Sequence, residues 1–115
     1  MSRTLEFTPH ALILHLSGLT SAAALKRQVE IPFSAIKAVT IEDFNIPLLS
    51  FRIGTSIADI REGRFLLTSK WSFISYENHK DVVVLELANH QFENVVFQIH
   101  HPEEIKKQIL EHMSL

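Results

Sequence analysis

The chain has 115 residues, of which 46% are hydrophobic, and a net charge of −2; this length and composition suit one domain with a core of its own. The mixed charges argue against binding of duplex nucleic acid, which needs a strongly basic surface. The lack of cysteine excludes disulfides, thiolate metal sites and cysteine nucleophiles, and it fits a reducing compartment. We predict a single domain over residues 1–115, in the cytoplasm and without a transmembrane segment.

Four short segments in the first 42 residues alternate polar and apolar side chains, which is the pattern of half-buried strands. Between the second and third segments, residues 19–24 are small and tolerate a helix, so we predict a turn or a single helical turn. Pro32 cannot donate to a sheet ladder and marks an edge or a strand end. The predicted strands are residues 4–8, 11–17, 26–31 and 37–42.

Residues 43–60 are the least regular part of the chain, because Asn45, Pro47 and Gly54 interrupt it, yet they are rich in apolar side chains. An apolar stretch without regular structure either covers the core or forms a contact surface, and both alternatives stay open here. Our hypothesis for a partner-contact surface comprises Phe44, Ile46, Leu48, Leu49 and Phe51.

Sequence patterns in the second half of the chain predict four more strands and one helix. A polar turn at residues 77–81 predicts a hairpin between the second and third of these strands. The helix begins at Pro102, which fits a first helical position, and runs to about Met113. Its apolar stripe consists of Ile105, Ile109, Leu110 and Met113. The predicted strands are residues 64–68, 71–76, 81–87 and 94–100.

Roughly seven short strands at hairpin spacing and one amphipathic C-terminal helix indicate a mainly β fold, α+β by content. Such a set of antiparallel strands needs its open ends covered. We therefore predict a bent antiparallel sheet or partly open barrel, with the C-terminal helix laid across one end.

Several local patterns follow one another along nearly the whole chain. They are LSGL at 16–19, AALKR at 23–27, EIPFSAIKAV at 30–39, GTSI at 54–57, GRF at 63–65, VLEL at 84–87, VVFQI at 95–99 and PEE at 102–104. In this order they resemble the small, uncharacterised bacterial pleckstrin-homology-like (PH-like) domains. The resemblance implies a bent seven-stranded antiparallel sheet, or partly open barrel, capped by the C-terminal helix, and no catalytic activity. Residues 58–62 depart from the similar sequences, which carry extra proline and glycine there.

Motifs for catalysis and metal binding are missing from the sequence. The seven histidines show no ligand spacing such as His-x-x-x-His. No nucleophile elbow of the form Gly-x-Ser-x-Gly is present. We therefore predict no cofactor, no metal and no enzymatic activity, and an enzyme with an unrecognised site is the least favoured hypothesis.

A modest basic cluster offers a second kind of site. Guanidinium groups bind phosphate or carboxylate with two parallel hydrogen bonds, so the cluster suggests a small anion or an anionic lipid headgroup. The ordinary alternative is a solvated loop of mixed charge, because Asp59 and Glu62 lie among the basic residues. The candidate anion-binding residues are Arg52, Arg61, Arg64 and Lys70.

The favoured functional hypothesis is a non-enzymatic binding or scaffolding module that acts through contacts with a protein partner or through self-association. It depends on the resemblance and on the apolar segment that follows residue 43. The alternative is a module that binds an anionic lipid headgroup or small anion, for which peripheral membrane contact is less favoured than protein contact.

Overall fold

The chain folds into two β-sheets and two α-helices, in a computed structural model that describes residues 3–46, 51–67 and 70–114. Across these ranges it has nine strands and one short 3-10 turn, Phe33–Ala35. The helices are α1 (Gly18–Ala24) and α2 (Pro102–Met113). The strands are β1 (Arg3–Phe7), β2 (Ala11–Leu16), β3 (Gln28–Pro32), β4 (Ile36–Glu42), β5 (Arg52–Ile57), β6 (Ile60–Leu67), β7 (Lys70–Tyr76), β8 (Val82–Leu87) and β9 (Asn94–Phe97).

The first sheet is antiparallel and has the order β1-β2-β3. Its central strand turns Leu12, Leu14 and Leu16 to the protein interior, as the alternation in the sequence predicts. Pro32 ends β3 and is exposed, which confirms its predicted position at a strand end.

The second sheet has the order β4-β8-β9-β7-β6-β5. Strand β9 pairs antiparallel with β8 and parallel with β7, so it lies between the two strands that residues 77–81 connect. The predicted hairpin between β7 and β8 is therefore wrong. The connection spans two strand spacings, about 10 Å, and five residues reach up to about 17 Å. Val95, Val96 and Phe97 are all buried, as expected of a strand inside a sheet.

One face of the second sheet packs against the first sheet, and side chains from the two sheets together form the larger core. The C-terminal helix α2 closes this core, with Ile109 buried and Ile105 and Met113 packed against it. Leu110 is 44% exposed, so the predicted apolar stripe of the helix is narrower than expected. Buried members of this core include Leu12, Leu14, Val29, Ile31, Phe73, Val83, Leu85, Val95 and Phe97.

The other face of the second sheet carries a smaller core. Residues 43–46 have no regular structure and lie over this face, where Ile46 is buried and Phe44 packs at the edge. The remaining buried members come from four strands: Phe65, Ile74, Tyr76, Val82, Val84 and Val96.

Strand β5 lies within the stretch for which the sequence indicates no regular structure, so that prediction is wrong from Arg52 to Ile57. Gly54 and Gly63 pair across β5 and β6, with φ of +143° and +129°. A Cβ atom added to them would lie 2.1 Å from the Glu62 carbonyl oxygen and 2.3 Å from the Ile53 carbonyl oxygen, respectively. Gly54 interrupts the strand pattern because the two backbones approach too closely for any side chain.

The mainly β fold with a C-terminal helix is confirmed. The single sheet of seven antiparallel strands is not what forms: the described residues build a three-stranded and a six-stranded sheet, neither of them closed, and one strand pair is parallel. Within the same residues, no helix has both the length and the apolarity to cross a membrane.

Candidate interaction surface

Large exposed apolar side chains concentrate at one place in the molecule. The part of the chain that the structure describes exposes five of them, and only Leu110 lies on α2. The other four are on or beside α1 and β5, and we call them the β5 surface. They are Leu25, Phe51, Ile53 and Ile57, exposed by 65%, 66%, 40% and 64%.

The geometry of the strand places these side chains together. Strand β5 is at the edge of the six-stranded sheet, and Phe51, Ile53 and Ile57 have odd numbers, so they share one face of it. The Phe51 carbonyl accepts a 2.9 Å hydrogen bond from the Leu66 N–H, which continues the β5–β6 pairing to that residue. The ring of Phe51 also lies 5.9 Å from the ring of Trp71.

Helix α1 brings Leu25 to the same region. The helix lies against β5 and β6, and the Thr55 hydroxyl donates a 3.0 Å hydrogen bond to the Ala23 carbonyl. Leu25 caps the C-terminus of α1 in the left-handed conformation, with φ of +58°. Glycine is the usual residue in that conformation, which costs other residues about 1–2 kcal/mol. Since the Leu25 side chain is also exposed, folding alone gives no reason for leucine here.

The turn between β5 and β6 is held in place by a contact from the β7–β8 connection. Ala58 and Asp59 form a two-residue turn in which Ala58 has φ of +50°. The Asp59 carboxylate accepts a 3.0 Å hydrogen bond from the His79 backbone N–H and lies 2.9 Å from the His79 Nδ1. Desolvation raises the pKa of Asp59, but the His79 contacts and the charge of Arg61 outweigh it and lower that pKa. These contacts fix the end of β5.

Arg61, one of the predicted anion-binding residues, is turned into the protein. It is 3% exposed, and its guanidinium donates to the carbonyls of Ile46, Ala58 and Ile60 at distances between 2.6 and 3.2 Å. These bonds anchor residue 46 over the smaller core. The prediction that Arg61 binds an external anion is therefore wrong, because its side chain serves backbone acceptors inside the fold.

The other three residues of the predicted basic cluster do not meet at one point. Arg52 pairs with Phe65 and Arg64 with Ile53, so the two arginines point to opposite faces of the sheet. Arg52 is exposed and Arg64 is half-buried. Lys70 is exposed at the start of β7, two strands away from Arg52. Binding of an anion by these three stays a prediction.

The predicted partner-contact residues separate into three groups. Phe51 is exposed and belongs to the β5 surface. Ile46 is 3% exposed, so the contact prediction is wrong for this residue. Phe44 is half-buried against the smaller core and leaves little accessible area for a partner. Leu48 and Leu49 lie outside the described residues.

A second polar site joins the two sheets, and we call it the inter-sheet cluster. Arg3 on β1 donates from Nη1 to the Ser75 hydroxyl at 2.9 Å and to Glu77 Oε2 at 2.9 Å, and a second nitrogen of its guanidinium contacts Glu77 Oε1. Its Nε donates to the Gln98 carbonyl at 2.7 Å. Glu62 Oε1 lies 2.5 Å from the Ser75 hydroxyl, and Glu62 Oε2 lies 3.4 Å from Arg3 Nη1.

The two carboxylates of the inter-sheet cluster have opposite pKa shifts. Burial, together with the neighbouring Glu77, raises the pKa of Glu62 to about 8, against the effects of Ser75 and Arg3. Burial also acts to raise the pKa of Glu77, but hydrogen bonds and charge from Arg3, with a bond to Glu62, lower it to about 2. One arginine therefore faces one carboxylate and one carboxylic acid at neutral pH.

Carboxyl groups with separated pKa values are also the arrangement of acid–base catalysts. Here Glu62 is only 2% exposed. The adjoining cavity of about 250 Å³ is lined by Arg3, Gln98, Ile99 and His100, and by neither carboxyl group. The cluster is suited to holding the sheets together and not to chemistry on a ligand.

The sequence carries little signal for the inter-sheet cluster. Glu62 lies two residues from Ile60 but also from Arg64, and Ser75 lies two residues from Phe73 but also from Glu77, so alternation does not mark either position as buried. Arg3 and Glu77 are 74 residues apart, and no local pattern connects them.

In the described residues, no group of three or more histidine or acidic side chains is arranged to hold a metal. No protein-family model, curated protein or solved structure matches this chain.

Proposed function

We propose that the chain is a non-enzymatic binding module of PH-like fold that contacts a protein partner through the β5 surface. The observation that carries this proposal is the concentration of Leu25, Phe51, Ile53 and Ile57 at one sheet edge. A concentration of exposed apolar side chains in one region is characteristic of protein-interaction sites. The PH-like part of the proposal is supported by the order of local sequence patterns and by a C-terminal helix packed across the sheets.

The energetics of the β5 surface support a binding role. Full burial of a leucine, isoleucine or phenylalanine side chain contributes about 1.5–3 kcal/mol. Four such side chains, already more than a third exposed, offer a partner several kcal/mol of burial on one narrow strip. Leu25 gives the clearest case, because its backbone is in the left-handed conformation and its side chain is 65% exposed in the free chain.

The alternative of anion binding has less support. Arg61 is engaged by backbone carbonyls, and Arg52 and Arg64 point to opposite faces of the sheet. Bidentate recognition of one phosphate or carboxylate needs guanidinium groups that converge. An enzymatic role has less support still, because Glu62, the carboxyl group with the raised pKa, is buried.

Site-specific photocrosslinking in cells that naturally produce the chain tests the proposal. A photoreactive phenylalanine analogue replaces Phe51 in one variant and Ile57 in a second. The matched control replaces Leu110, which is exposed on α2 and distant from β5. We expect a discrete crosslinked protein at both β5 positions and not at position 110. Equal crosslinking at all three positions, or none at 51 and 57, would contradict the proposal.

A further inference from the structure

We propose that the inter-sheet cluster is a proton-dependent switch: loss of the proton on Glu62 in mildly alkaline solution releases Glu77 from Arg3 and loosens the end of β5 at its turn with β6. The consequence for binding rests on the proposed function, because that end of β5 carries Ile57 of the β5 surface. The movement itself needs no partner and is measurable in the free chain.

The contact between Glu62 and Glu77 requires a proton. The two carboxyl groups are hydrogen-bonded to each other, and an ionised carboxylate can only accept, so one of them carries the donor hydrogen. Burial raises the pKa of Glu62 to about 8, and Glu77 acts in the same direction, so Glu62 is the donor at neutral pH. Once that proton leaves, two carboxylates share one guanidinium, and the hydrogen bond between them becomes a repulsion.

Few charged groups surround Glu62. Its polar neighbours are Arg3 from β1, Thr55 from β5, Arg64 two positions along β6 on the same face, Ser75 from β7 and Glu77 directly after β7. Helix α1, which also lies against β6, contains no titratable side chain. The charge of the amino terminus acts on Glu77, in the same direction as Arg3. Arg3 is therefore the buried cation that both carboxyl groups share.

Glu77 is the carboxylate that is free to move. The oxygens of Glu62 already lie 2.5 Å from the Ser75 hydroxyl and 3.4 Å from Arg3 Nη1, and its side chain is 2% exposed. The Glu77 side chain is 17% exposed and follows the last residue of β7. Ionised Glu62 therefore keeps Arg3 and Ser75, whereas Glu77 turns to water, because a second uncompensated charge is costly in the interior.

Glu77 begins the connection that holds the β5–β6 turn. Its N–H and that of Asn78 donate to the side-chain oxygen of Gln98 at 2.9 and 3.2 Å. One residue further, His79 donates its N–H to the Asp59 carboxylate at 3.0 Å, and its Nδ1 lies 2.9 Å from the same group. Because only Asn78 separates Glu77 from His79, a shift of Glu77 displaces the group that fixes the end of β5.

The opposite end of β5 has separate contacts. The Phe51 carbonyl accepts a hydrogen bond from Leu66, and the Phe51 ring lies beside that of Trp71. Neither partner belongs to the connection between β7 and β8. The switch should therefore affect Ile57 at the turn more than Ile53 and Phe51, which gives the experiment an internal control within one strand.

NMR of the full chain between pH 6 and pH 10 tests the proposal, with ¹³C labels on glutamate carboxyl groups and isoleucine δ1 methyl groups. We expect the Glu62 carboxyl and the Ile57 methyl to shift with one common midpoint near pH 8. The Ile53 methyl should shift much less. Glu62→Gln, which keeps a donor toward Glu77 and cannot ionise, should abolish the Ile57 shift. Glu30→Gln, at an exposed position on β3, should preserve it.

A second variant interrupts the path from the inter-sheet cluster to β5. Asp59→Ala removes the acceptor of His79, so the Glu62 carboxyl should still titrate near pH 8 while the Ile57 methyl no longer follows it. Any one of three results would overturn the inference. They are a Glu62 carboxyl that does not titrate between pH 6 and pH 10, an Ile57 methyl that stays unchanged while Glu62 titrates, and an Ile57 shift that survives Glu62→Gln.

Photocrosslinking distinguishes this inference from the proposed function. In permeabilised cells the yield at position 57, relative to that at position 51, should fall between pH 7 and pH 9. Crosslinking at both positions with a ratio that does not change would contradict regulation of the β5 surface and leave the binding function intact. Crosslinking at neither position would contradict the proposed function, while the methyl and carboxyl shifts would still decide the switch.

Discussion

The inter-sheet cluster buries charged side chains, whereas the β5 surface exposes apolar ones. The inter-sheet cluster withdraws charged groups from water and matches each with a partner: Arg3 with Glu77 and the Gln98 carbonyl, and Glu62 with Ser75. The β5 surface leaves apolar side chains largely in water, exposed by 40–66%. Buried polar groups that are fully matched serve the fold, whereas exposed apolar groups that the fold does not need are available to another molecule.

The largest expected effect comes from removing the arginine of the inter-sheet cluster. The variant Arg3→Met leaves Glu62 and Glu77 without their cation, and breaking a buried ion pair in this way costs about 3–5 kcal/mol. Urea denaturation should show this loss in the free energy of unfolding. The control Arg52→Met, at an exposed arginine, should change it by about 0.5 kcal/mol or less. Equal effects of the two variants would mean that the inter-sheet cluster does not hold the sheets together.

The pH dependence of stability should follow the two carboxyl groups. The pKa of Glu62 is raised to about 8 from 4.5, so the folded chain holds this proton more tightly than the unfolded chain, and stability falls as pH rises from about 4.5 to 8. The pKa of Glu77 is lowered to about 2, so stability is also lost as pH falls from about 4.5 to 2. Unfolding by urea between pH 3 and pH 9 should show maximal stability near pH 4.5–5.

The variant Glu62→Gln isolates the first of these effects. It keeps a hydrogen-bonding side chain beside Ser75 but cannot ionise, so the fall in stability between pH 5 and pH 8, on the order of 2–4 kcal/mol, should largely disappear. Glu30→Gln, at an exposed position on β3, should leave that fall unchanged. The same pH profile in both variants would contradict the assignment to Glu62.

A smaller loss is expected at the glycine pair of β5 and β6. Gly63→Ala places a Cβ atom 2.3 Å from the Ile53 carbonyl oxygen at a backbone φ of +129°, which side chains rarely adopt. We expect a cost of about 1–3 kcal/mol in urea denaturation, and weaker crosslinking at position 57 because the strand shifts. Ala38→Gly on β4 controls for a change of the same size in another strand; unchanged stability in Gly63→Ala would mean that β5 does not need this close approach.

Local sequence patterns predicted those elements whose bounds depend only on residues within the element. Helix α2 was placed from Pro102 to Met113 because a helix start, two acidic residues and an apolar stripe all agree. The order of strands was not predicted, because β9 enters between β7 and β8 through long-range packing of Val95 and Phe97. The accessibility of the candidate surface was predicted in part: Phe51 is exposed, whereas Ile46 is buried by a sheet face whose existence depends on distant strands.

The prediction of anion binding is wrong at Arg61 for a related reason. A side chain's neighbours in sequence do not tell whether its guanidinium meets solvent or the carbonyl oxygens of an adjacent turn, and Arg61 meets the latter. Arg3 shows the reverse case, since nothing around it in the sequence distinguishes it from an ordinary terminal arginine. Arg3 acquires its role from segments that the sequence separates widely, whereas Arg61 bonds the carbonyls of Ile60 and Ala58 nearby and of Ile46 further away.

The smallest effect on stability is expected at Leu25, where a substitution should stabilise the fold and weaken binding. This substitution tests most directly the central claim that the β5 surface is a binding site. Leu25→Gly relieves a left-handed backbone at the end of α1 and removes an exposed side chain, so urea denaturation should show a gain of about 0.5–1 kcal/mol. Crosslinking at position 57 should fall. If Leu25→Gly lowers stability and leaves binding intact, Leu25 serves the fold and the β5 surface is not a binding site.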